Sequence, residues 1–254
     1  MNRNYFLLII FLVLLIGCNR KENTEVLVLP SIHGAHKSNP NYNYKDLFEV
    51  VRKYDPSVIG IEIRPEDMKE NREYLDPYYP EEMMMLIDSF PQKTRGIDSY
   101  GAELEGKLLS KDLRADTTSQ IGRFFLLQKR MNQDSVLIQK EEELGIPAMQ
   151  KEQMRIALNY SPQQMINGEY DSITGHYYHV LDSLLQKSSY EDYVKFNSGR
   201  DLKITENALG LIEANEGKKV MIVIGANHRK RLMDSLATRK GIKVVENLDF
   251  EKNK

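Results

Sequence analysis

The feature that most constrains the fold is the segment at residues 218–228, KKVMIVIGANH. Two lysines precede an unbroken apolar run at residues 220–224, and Gly225 ends it. A short run rich in β-branched residues is typical of a strand buried on both faces in a parallel sheet. His228 follows at the start of a predicted helix. The segment therefore brings an imidazole to the carboxyl end of a buried strand, where open α/β sheets hold their ligands.

Other segments have the same short apolar character and predict the remaining strands. They are residues 25–30 (EVLVLP), 57–63 (SVIGIEI), 94–98 (TRGID) and 242–245. An amphipathic helix at residues 44–54 joins the first two, with apolar residues at helical spacing. The strands thus come from both ends of the chain.

The middle of the chain shows helical periodicity and no strand pattern from residue 101 to about residue 217. Predicted helices cover residues 80–90, 118–144, 173–185, 190–214 and 227–238, and Ser161 caps another helix start. The sequence predicts an α/β fold with a small, mainly parallel sheet and a large central helical insertion. We expect a single domain over residues 25–254 with the insertion at about residues 101–217.

The first residues have the pattern of a bacterial lipoprotein signal peptide. Arg3 precedes an apolar stretch at residues 5–16, and Gly17 comes directly before Cys18, the only cysteine in the chain. The stretch is shorter than the ~20 residues of a membrane span. The pattern resembles the lipobox and predicts a signal peptide at residues 1–17, a lipid on Cys18 and a tether at residues 18–24. We expect a lipid anchor in the cell envelope, outside the cytoplasm.

The charge of the chain argues against nucleic acid as a partner. The formal net charge is −2, and neither sign accumulates in long blocks. Nucleic-acid-binding domains instead carry a basic patch or stripe.

Titratable residues follow the predicted strands and define a candidate site. In a parallel sheet the residues after each strand gather at one edge. They are His33 or His36 after the first strand, Glu62 and Arg64 after the second, Asp98 after the third, and His228 after the fourth. Two imidazoles and a carboxylate suit Zn, Mn or a similar divalent ion. Such an ion, held by His33 (or His36), Glu62 and His228, could activate water.

Several of these residues resemble one protein family. Gly225-Ala226-Asn227-His228 resembles the late Gly-x-x-His motif of the TraB/PrgY/GumN and Tiki superfamily, and residues 58–62 (VIGIE) resemble its acidic strand. That superfamily includes erythromycin esterase-like proteins and haem-binding ChaN-like lipoproteins. The resemblance implies a membrane-anchored hydrolase acting on an amide or ester in a small molecule or peptide. The early motif departs from the family, since Pro30 stands where glycine is expected and precedes His33 by three residues.

The family also places an Arg and an Asn on the helix before the last motif. Here six residues of that helix fall within roughly 40° of one line. They are Tyr193, Phe196, Arg200, Ile204, Asn207 and Leu211. Arg200 and Asn207 should therefore face inward, and a buried guanidinium needs a carboxylate or an anionic ligand. Arg200 could orient an anionic group of a substrate or join the helix to the sheet.

Other functions remain open at the level of sequence. The same cluster could work without metal, with a histidine as general base and Glu62 orienting it. A haem- or ligand-binding lipoprotein without turnover is the second alternative, with His176 and His179 sharing one face of a helix. A catalytically inactive family member is the third, because Pro30 removes an N–H and fixes φ in the early motif.

Overall fold

The computed structural model describes residues 23–249. The strands are β1 (Thr24–Ser31), β2 (Val58–Ile61), β3 (Thr94–Gly96), β4 (Lys219–Gly225) and β5 (Ile242–Val244). The helices are α1 (Tyr44–Tyr54), α2 (Arg72–Leu75), α3 (Glu81–Ser89), α4 (Gln120–Met131), α5 (Ser135–Glu143), α6 (Ile146–Asn159), α7 (Pro162–Ile166), α8 (Glu169–Leu185), α9 (Glu191–Glu213) and α10 (Ala226–Ala237). Short 3₁₀ helices lie at His33–Lys37, Pro65–Lys69 and Ala102–Leu104.

The five strands form one all-parallel sheet in the order β3-β2-β4-β1-β5. The predicted α/β class is confirmed, and both ends of the chain supply strands. β4 is the central strand: Glu25 of β1 is paired with Lys219 on one side, and Val58 of β2 with Val220 on the other. β1 and β2 follow each other in the sequence but are separated by β4 in the sheet.

The sheet is covered on both faces, which explains the unbroken apolar run of β4. Met221 and Val223 point into a core shared with α1, α3 and α7. Val220, Ile222 and Ile224 point into a core on the opposite face, formed with α9 and α10. All five side chains are fully buried. Each contributes about 1.5–3 kcal/mol to folding by leaving water, so β4 stabilises both halves of the molecule.

The segment between β3 and β4 contains helices and no strand in the described chain, as predicted. The predicted helix at residues 118–144 is two helices, α4 and α5, because Asp134 caps the second of them with its side chain. The sequence-based prediction omitted α6. Ser161 begins α7 with the predicted capping box, in which its hydroxyl accepts from Gln164 N–H.

The predicted N-terminal features lie mostly outside the described residues. The signal peptide at residues 1–17, the lipidation site Cys18 and residues 19–22 of the tether fall there. β1 begins at Thr24, one residue before the predicted strand. Across residues 23–249 we find no helix with the length and apolarity that a bilayer crossing requires.

Candidate active site

The segments that follow β1, β2, β3 and β4 meet at the carboxyl edge of the sheet. They bring together His33, Glu62, Asp98 and His228, and Arg200 joins them from α9. This cluster, which we call the edge cluster, contains all three predicted metal ligands. It forms because β3, β2, β4 and β1 lie side by side in that order and point the same way.

Glu62 is the centre of the edge cluster. Its Oε2 accepts the backbone N–H of Gly225 at 2.6 Å, and its Oε1 accepts Arg200 Nη2 at 2.9 Å. His228 Nε2 lies 3.5 Å from Oε1 and His33 Nε2 lies 3.9 Å from Oε2. Burial alone would raise the pKa of Glu62, but His228, His33 and Arg200 hold that pKa well below its usual range. Glu62 is therefore a buried carboxylate anion.

Arg200 joins α9 to the segments that follow β2 and β3. Its Nε and Nη2 donate to the two oxygens of Asp98 at 3.0 and 2.8 Å, which is a bidentate pair. Its guanidinium carbon lies 5.5 Å from the centre of the Tyr100 ring. Burial opposes its charge, yet Asp98 and Glu62 raise the pKa of Arg200 well above its usual range. Burial also raises the pKa of Asp98, and Arg200 partly offsets this.

Each imidazole of the edge cluster is fixed by its own carboxylate through Nδ1. His33 Nδ1 donates to Glu82 Oε1 at 2.8 Å, and His228 Nδ1 donates to Asp201 Oδ1 at 2.5 Å. Burial lowers the pKa of both histidines, but neighbouring carboxylates raise it more. The pKa of His33 is raised by Glu82 and Glu62, and that of His228 is raised to about 9 by Glu62 and Asp201.

Replacing Asp201 with asparagine should lower the pKa of His228 from about 9. The loss of one adjacent negative charge is expected to lower it by about one pH unit or more. Histidine NMR titration measures this directly. Because folding raises this pKa above 6.5, protonated His228 stabilises the fold fully below pH 6.5, and the effect is lost as pH rises through about 9. The variant should therefore lose more stability at pH 6 than at pH 10.

Glu82→Gln is the matched control for this titration. It removes the carboxylate from His33 Nδ1 and should lower the pKa of His33 while that of His228 stays near 9. A His228 pKa unchanged in Asp201→Asn would contradict the pairing.

Gly225 allows the edge cluster to close. A Cβ at this position would lie 2.6 Å from His33 Nε2 and 3.0 Å from Glu62 Oε2. Both distances are too short for a methyl group beside these atoms, so the glycine of the late motif lets the backbone approach the two side chains.

His36 does not reach the edge cluster. Its Nδ1 donates to the carbonyl of Tyr42 at 2.8 Å, and its Nε2 accepts Ile32 N–H at 3.2 Å. Burial lowers the pKa of His36 and favours the neutral ring. Both ring nitrogens thus hold the loop after β1, and His33 is the histidine at the site.

Arg64 and Asn207 also have structural partners. Arg64 is buried and pairs with both oxygens of Asp67 at 2.8 Å, and it donates to the carbonyls of Leu104 and Lys107. Asn207 faces the sheet and donates to the carbonyl of Ile97 at 3.1 Å. Arg64 therefore fixes the loop at residues 104–107, and Asn207 holds α9 against the end of β3.

His176 and His179 lie on α8, and both are exposed. Neither residue contributes to the wall of the cleft that contains His33 and His228. Haem binding at this pair stays a prediction.

The predicted metal ligands come together, but a cation already lies among them. Arg200 Nη1 is 3.3 Å from His228 Nε2, and Arg200 Nη2 contacts Glu62. A divalent ion bound to these atoms would meet the guanidinium at contact distance, which is electrostatically unfavourable. No group of three or more His, Cys, Asp or Glu side chains within residues 23–249 is arranged to hold one ion. In this arrangement the residues do not fit Zn or Mn, and metal binding stays a prediction.

A cleft of about 410 Å³ opens over the edge cluster. Its floor includes His33 and His228, and α6 forms the opposite wall. The His33 side chain is 40% exposed whereas that of His228 is 14% exposed, so His33 is the more accessible imidazole. The cleft can therefore bring a bound molecule to His33.

Two carboxylates of the site, Glu82 and Asp201, were missed by sequence reasoning. Glu82 carried a usable signal, because it is four residues before Leu86 and shares the buried face of α3 with it. A carboxylate on an apolar helical face indicates a buried partner. Asp201 carried no such signal, since it follows Arg200 and lies about 100° around the helix from the apolar stripe.

Comparisons of the chain with family models, with curated proteins and with solved structures found no match. The geometry of the site therefore carries the functional proposal.

Proposed function

We propose that the chain is a hydrolase that cleaves an ester or amide bond with its own acid–base groups. The observation that carries this proposal is the pair of imidazoles at the floor of one cleft, each fixed through Nδ1 by a separate carboxylate. A histidine held by a carboxylate on one nitrogen has its other nitrogen oriented for proton transfer.

His33 is the proposed general base. Its Nδ1–H donates to Glu82, so the neutral ring has a free lone pair on Nε2. Nε2 takes a proton from water as the water oxygen bonds to the substrate carbonyl carbon. When the tetrahedral intermediate collapses, the leaving alcohol or amine takes that proton from His33. Glu82 holds the tautomer and stabilises the imidazolium that forms.

His228 is the proposed stabiliser of the negative oxygen, because it lines the cleft and Arg200 does not. Arg200 Nη1 lies 3.3 Å from His228 Nε2, so its positive charge acts on the same oxygen without contacting it. Fixed positive charges in a largely buried site stabilise charge that develops in the transition state. Glu62 contacts both residues and holds them in place.

The pH dependence should follow from these roles. The base His33 must be neutral, so activity should rise as pH passes its pKa, which lies above 6.5. His228 must be protonated, so activity should fall as pH passes about 9. A bell-shaped profile of kcat/KM between these limits is expected.

The direct test is hydrolysis of p-nitrophenyl butyrate and a butyryl anilide by the wild type and His33→Ala. We expect His33→Ala to lower kcat by about 10²–10⁴-fold, with the circular dichroism spectrum unchanged. His176→Ala is the matched control because it replaces an exposed histidine away from the cleft. Equal rates in His33→Ala and the wild type would refute the proposal.

The metal-dependent version, a peptidase or esterase, requires a separate measurement. Metal analysis of the purified protein, with and without His228→Ala, distinguishes the two versions. Activity that survives chelation, in protein free of metal, supports the acid–base proposal. Stoichiometric metal that is lost in His228→Ala would replace it with the metal-dependent one.

The membrane anchor belongs to the proposal as well. The lipobox-like segment ending at Cys18 supports a hydrolase held at a bacterial membrane by a lipid. Mass spectrometry of the protein from its membrane fraction tests this, and an unmodified Cys18 would contradict it.

A further inference from the structure

The cleft over the edge cluster is walled by two elements of different chemistry. The floor comes from the ends of β1 and β4 and holds His33 and His228. The opposite wall comes from α6 through Gln150, Gln153, Met154 and Ala157. These four residues are spaced as on one helical face. One face of α6 thus lies across the cleft from the catalytic imidazoles.

The wall carries no formal charge. Among the described residues that line the cleft there is no Asp, Glu, Lys or Arg, and the two imidazoles are its only titratable side chains besides Tyr170. A charged group on the substrate would lose its hydration here without gaining a counter-ion from α6. The wall therefore suits an uncharged part of the substrate.

The wall contains one large apolar side chain, Met154, which is 57% exposed. Ile32, Ala35, Ala157 and Ala226 add further apolar surface to the cleft. A flexible methionine adapts to apolar groups of different shape. Covering it with an aliphatic chain would remove apolar surface from water, which is favourable by ~25 cal/mol per Å².

Neutral hydrogen-bonding groups also line the cleft. The Gln153 amide nitrogen donates to Thr174 Oγ1 at 2.8 Å, and Tyr170 OH donates to Asn227 Oδ1 at 2.9 Å. Within residues 23–249 the side-chain oxygen of Gln153 and the side-chain nitrogen of Asn227 make no hydrogen bond, so both are available. An uncharged amide or ester has the donors or acceptors that match them.

We propose that this cleft binds the uncharged, aliphatic acyl part of the substrate, with Met154 as the residue that sets chain-length preference. This proposal rests on the proposed hydrolase function and names its substrate class. A volume of about 410 Å³ has room for roughly a dozen non-hydrogen atoms, judged by the ≈30 Å³ of a water molecule. A medium-length acyl chain with its carbonyl at the imidazoles is of that size.

The binding test does not depend on turnover. Hexanamide, an uncharged acyl amide that serves as the probe, is titrated into protein with ¹³C-methyl-labelled methionine. We expect the NMR signal of Met154, assigned from its loss in Met154→Leu, to shift with hexanamide and much less with acetamide or hexylammonium. The shift should persist in His33→Ala, which lacks the general base. Equal responses to hexanamide and hexylammonium, or no response at Met154, would overturn the proposal.

The kinetic test uses a matched pair of variants. Met154→Lys places a charge in the cleft, while Leu202→Lys does so in a separate groove beside Ser99 and Arg200. Leu202 is 46% exposed and is therefore comparable in exposure to Met154. Met154→Lys should lower kcat/KM for p-nitrophenyl hexanoate relative to the acetate about tenfold, and Leu202→Lys should not. A loss in Leu202→Lys and none in Met154→Lys would place the acyl chain in the other groove and refute the proposal.

The two proposals can fail separately. Hexanamide binding at Met154 without hydrolysis would retain the acyl cleft and refute the hydrolase. Hydrolysis that depends on His33 but is unaffected by substitutions of Met154 would retain the hydrolase and refute the acyl cleft.

Discussion

Replacing Arg200 with methionine should lower the free energy of unfolding by about 3–5 kcal/mol at pH 7. The guanidinium donates to both oxygens of Asp98 and to Glu62, and both carboxylates are buried. Methionine fills similar space but leaves buried Asp98 without its counter-ion and buried Glu62 with only His33 and His228 as positive neighbours. Urea denaturation of the variant and the wild type measures the difference.

Lys203→Met is the matched control on the same helix. Lys203 pairs with Glu105 at 3.2 Å, but both side chains are largely exposed. Exposed pairs contribute about 0–1 kcal/mol, so this variant should remain close to the wild type. Equal losses in the two variants would contradict the view that Arg200 is the buried counter-ion.

The loss of unfolding free energy in Arg200→Met should become smaller as the pH falls. In the wild type the pKa of Glu62 is depressed, so ionised Glu62 stabilises the fold above its ordinary value of 4.5, and this is lost as pH falls through the depressed pKa. Without Arg200 the pKa values of Glu62 and Asp98 should rise, and protonation removes the unpaired charges. The difference between variant and wild type should therefore shrink between pH 7 and pH 5.

Gly225→Ala should abolish the proposed hydrolysis and destabilise the fold by about 1–3 kcal/mol, the range for overpacked positions. The new methyl group would lie 2.6 Å from His33 Nε2 and 3.0 Å from the Glu62 carboxylate. The imidazole of His33 must then move, which breaks its hydrogen bond to Glu82. Loss of the raised His33 pKa, followed by NMR, reports this movement independently of activity.

Gly210→Ala is the appropriate control. A Cβ at Gly210 meets nothing within 4 Å, and the residue lies inside α9. Alanine there should stabilise the protein by about 0.5–1 kcal/mol. If Gly225→Ala behaved like Gly210→Ala, with His33 still paired to Glu82, the close packing of the edge cluster would be refuted.

The sequence contained enough information to place four strand ends but not to complete the site. The rule that parallel strands end at one edge brought His33, Glu62, Asp98 and His228 together, because it depends only on chain direction. It cannot place Glu82 or Asp201, which come from helices and reach the imidazoles through tertiary packing. It also could not separate His33 from His36, since the 3₁₀ helix after β1 decides which ring faces the edge.

Sequence patterns also could not predict the order of the strands, because that order depends on tertiary packing. The apolar run of β4 indicates burial on both faces, but hydrophobic periodicity says nothing about which strands lie beside it. Helix α6 was missed, although its four cleft-facing residues form a wall of the candidate site. Its mixed apolar and polar pattern is weak, with only three buried residues.

The central position of β4 also affects how the chain folds during synthesis. β1 pairs only with β4 and β5 in the described sheet, and both follow residue 218. While the helical segment is synthesised, a growing chain therefore carries β1 unpaired and β2 open on the edge that later pairs with β4, and exposed edges favour aggregation. Long-range pairing of this kind also slows folding. His33, Glu62 and His228 can meet only after β4 inserts, so a nascent or truncated chain has no assembled edge cluster.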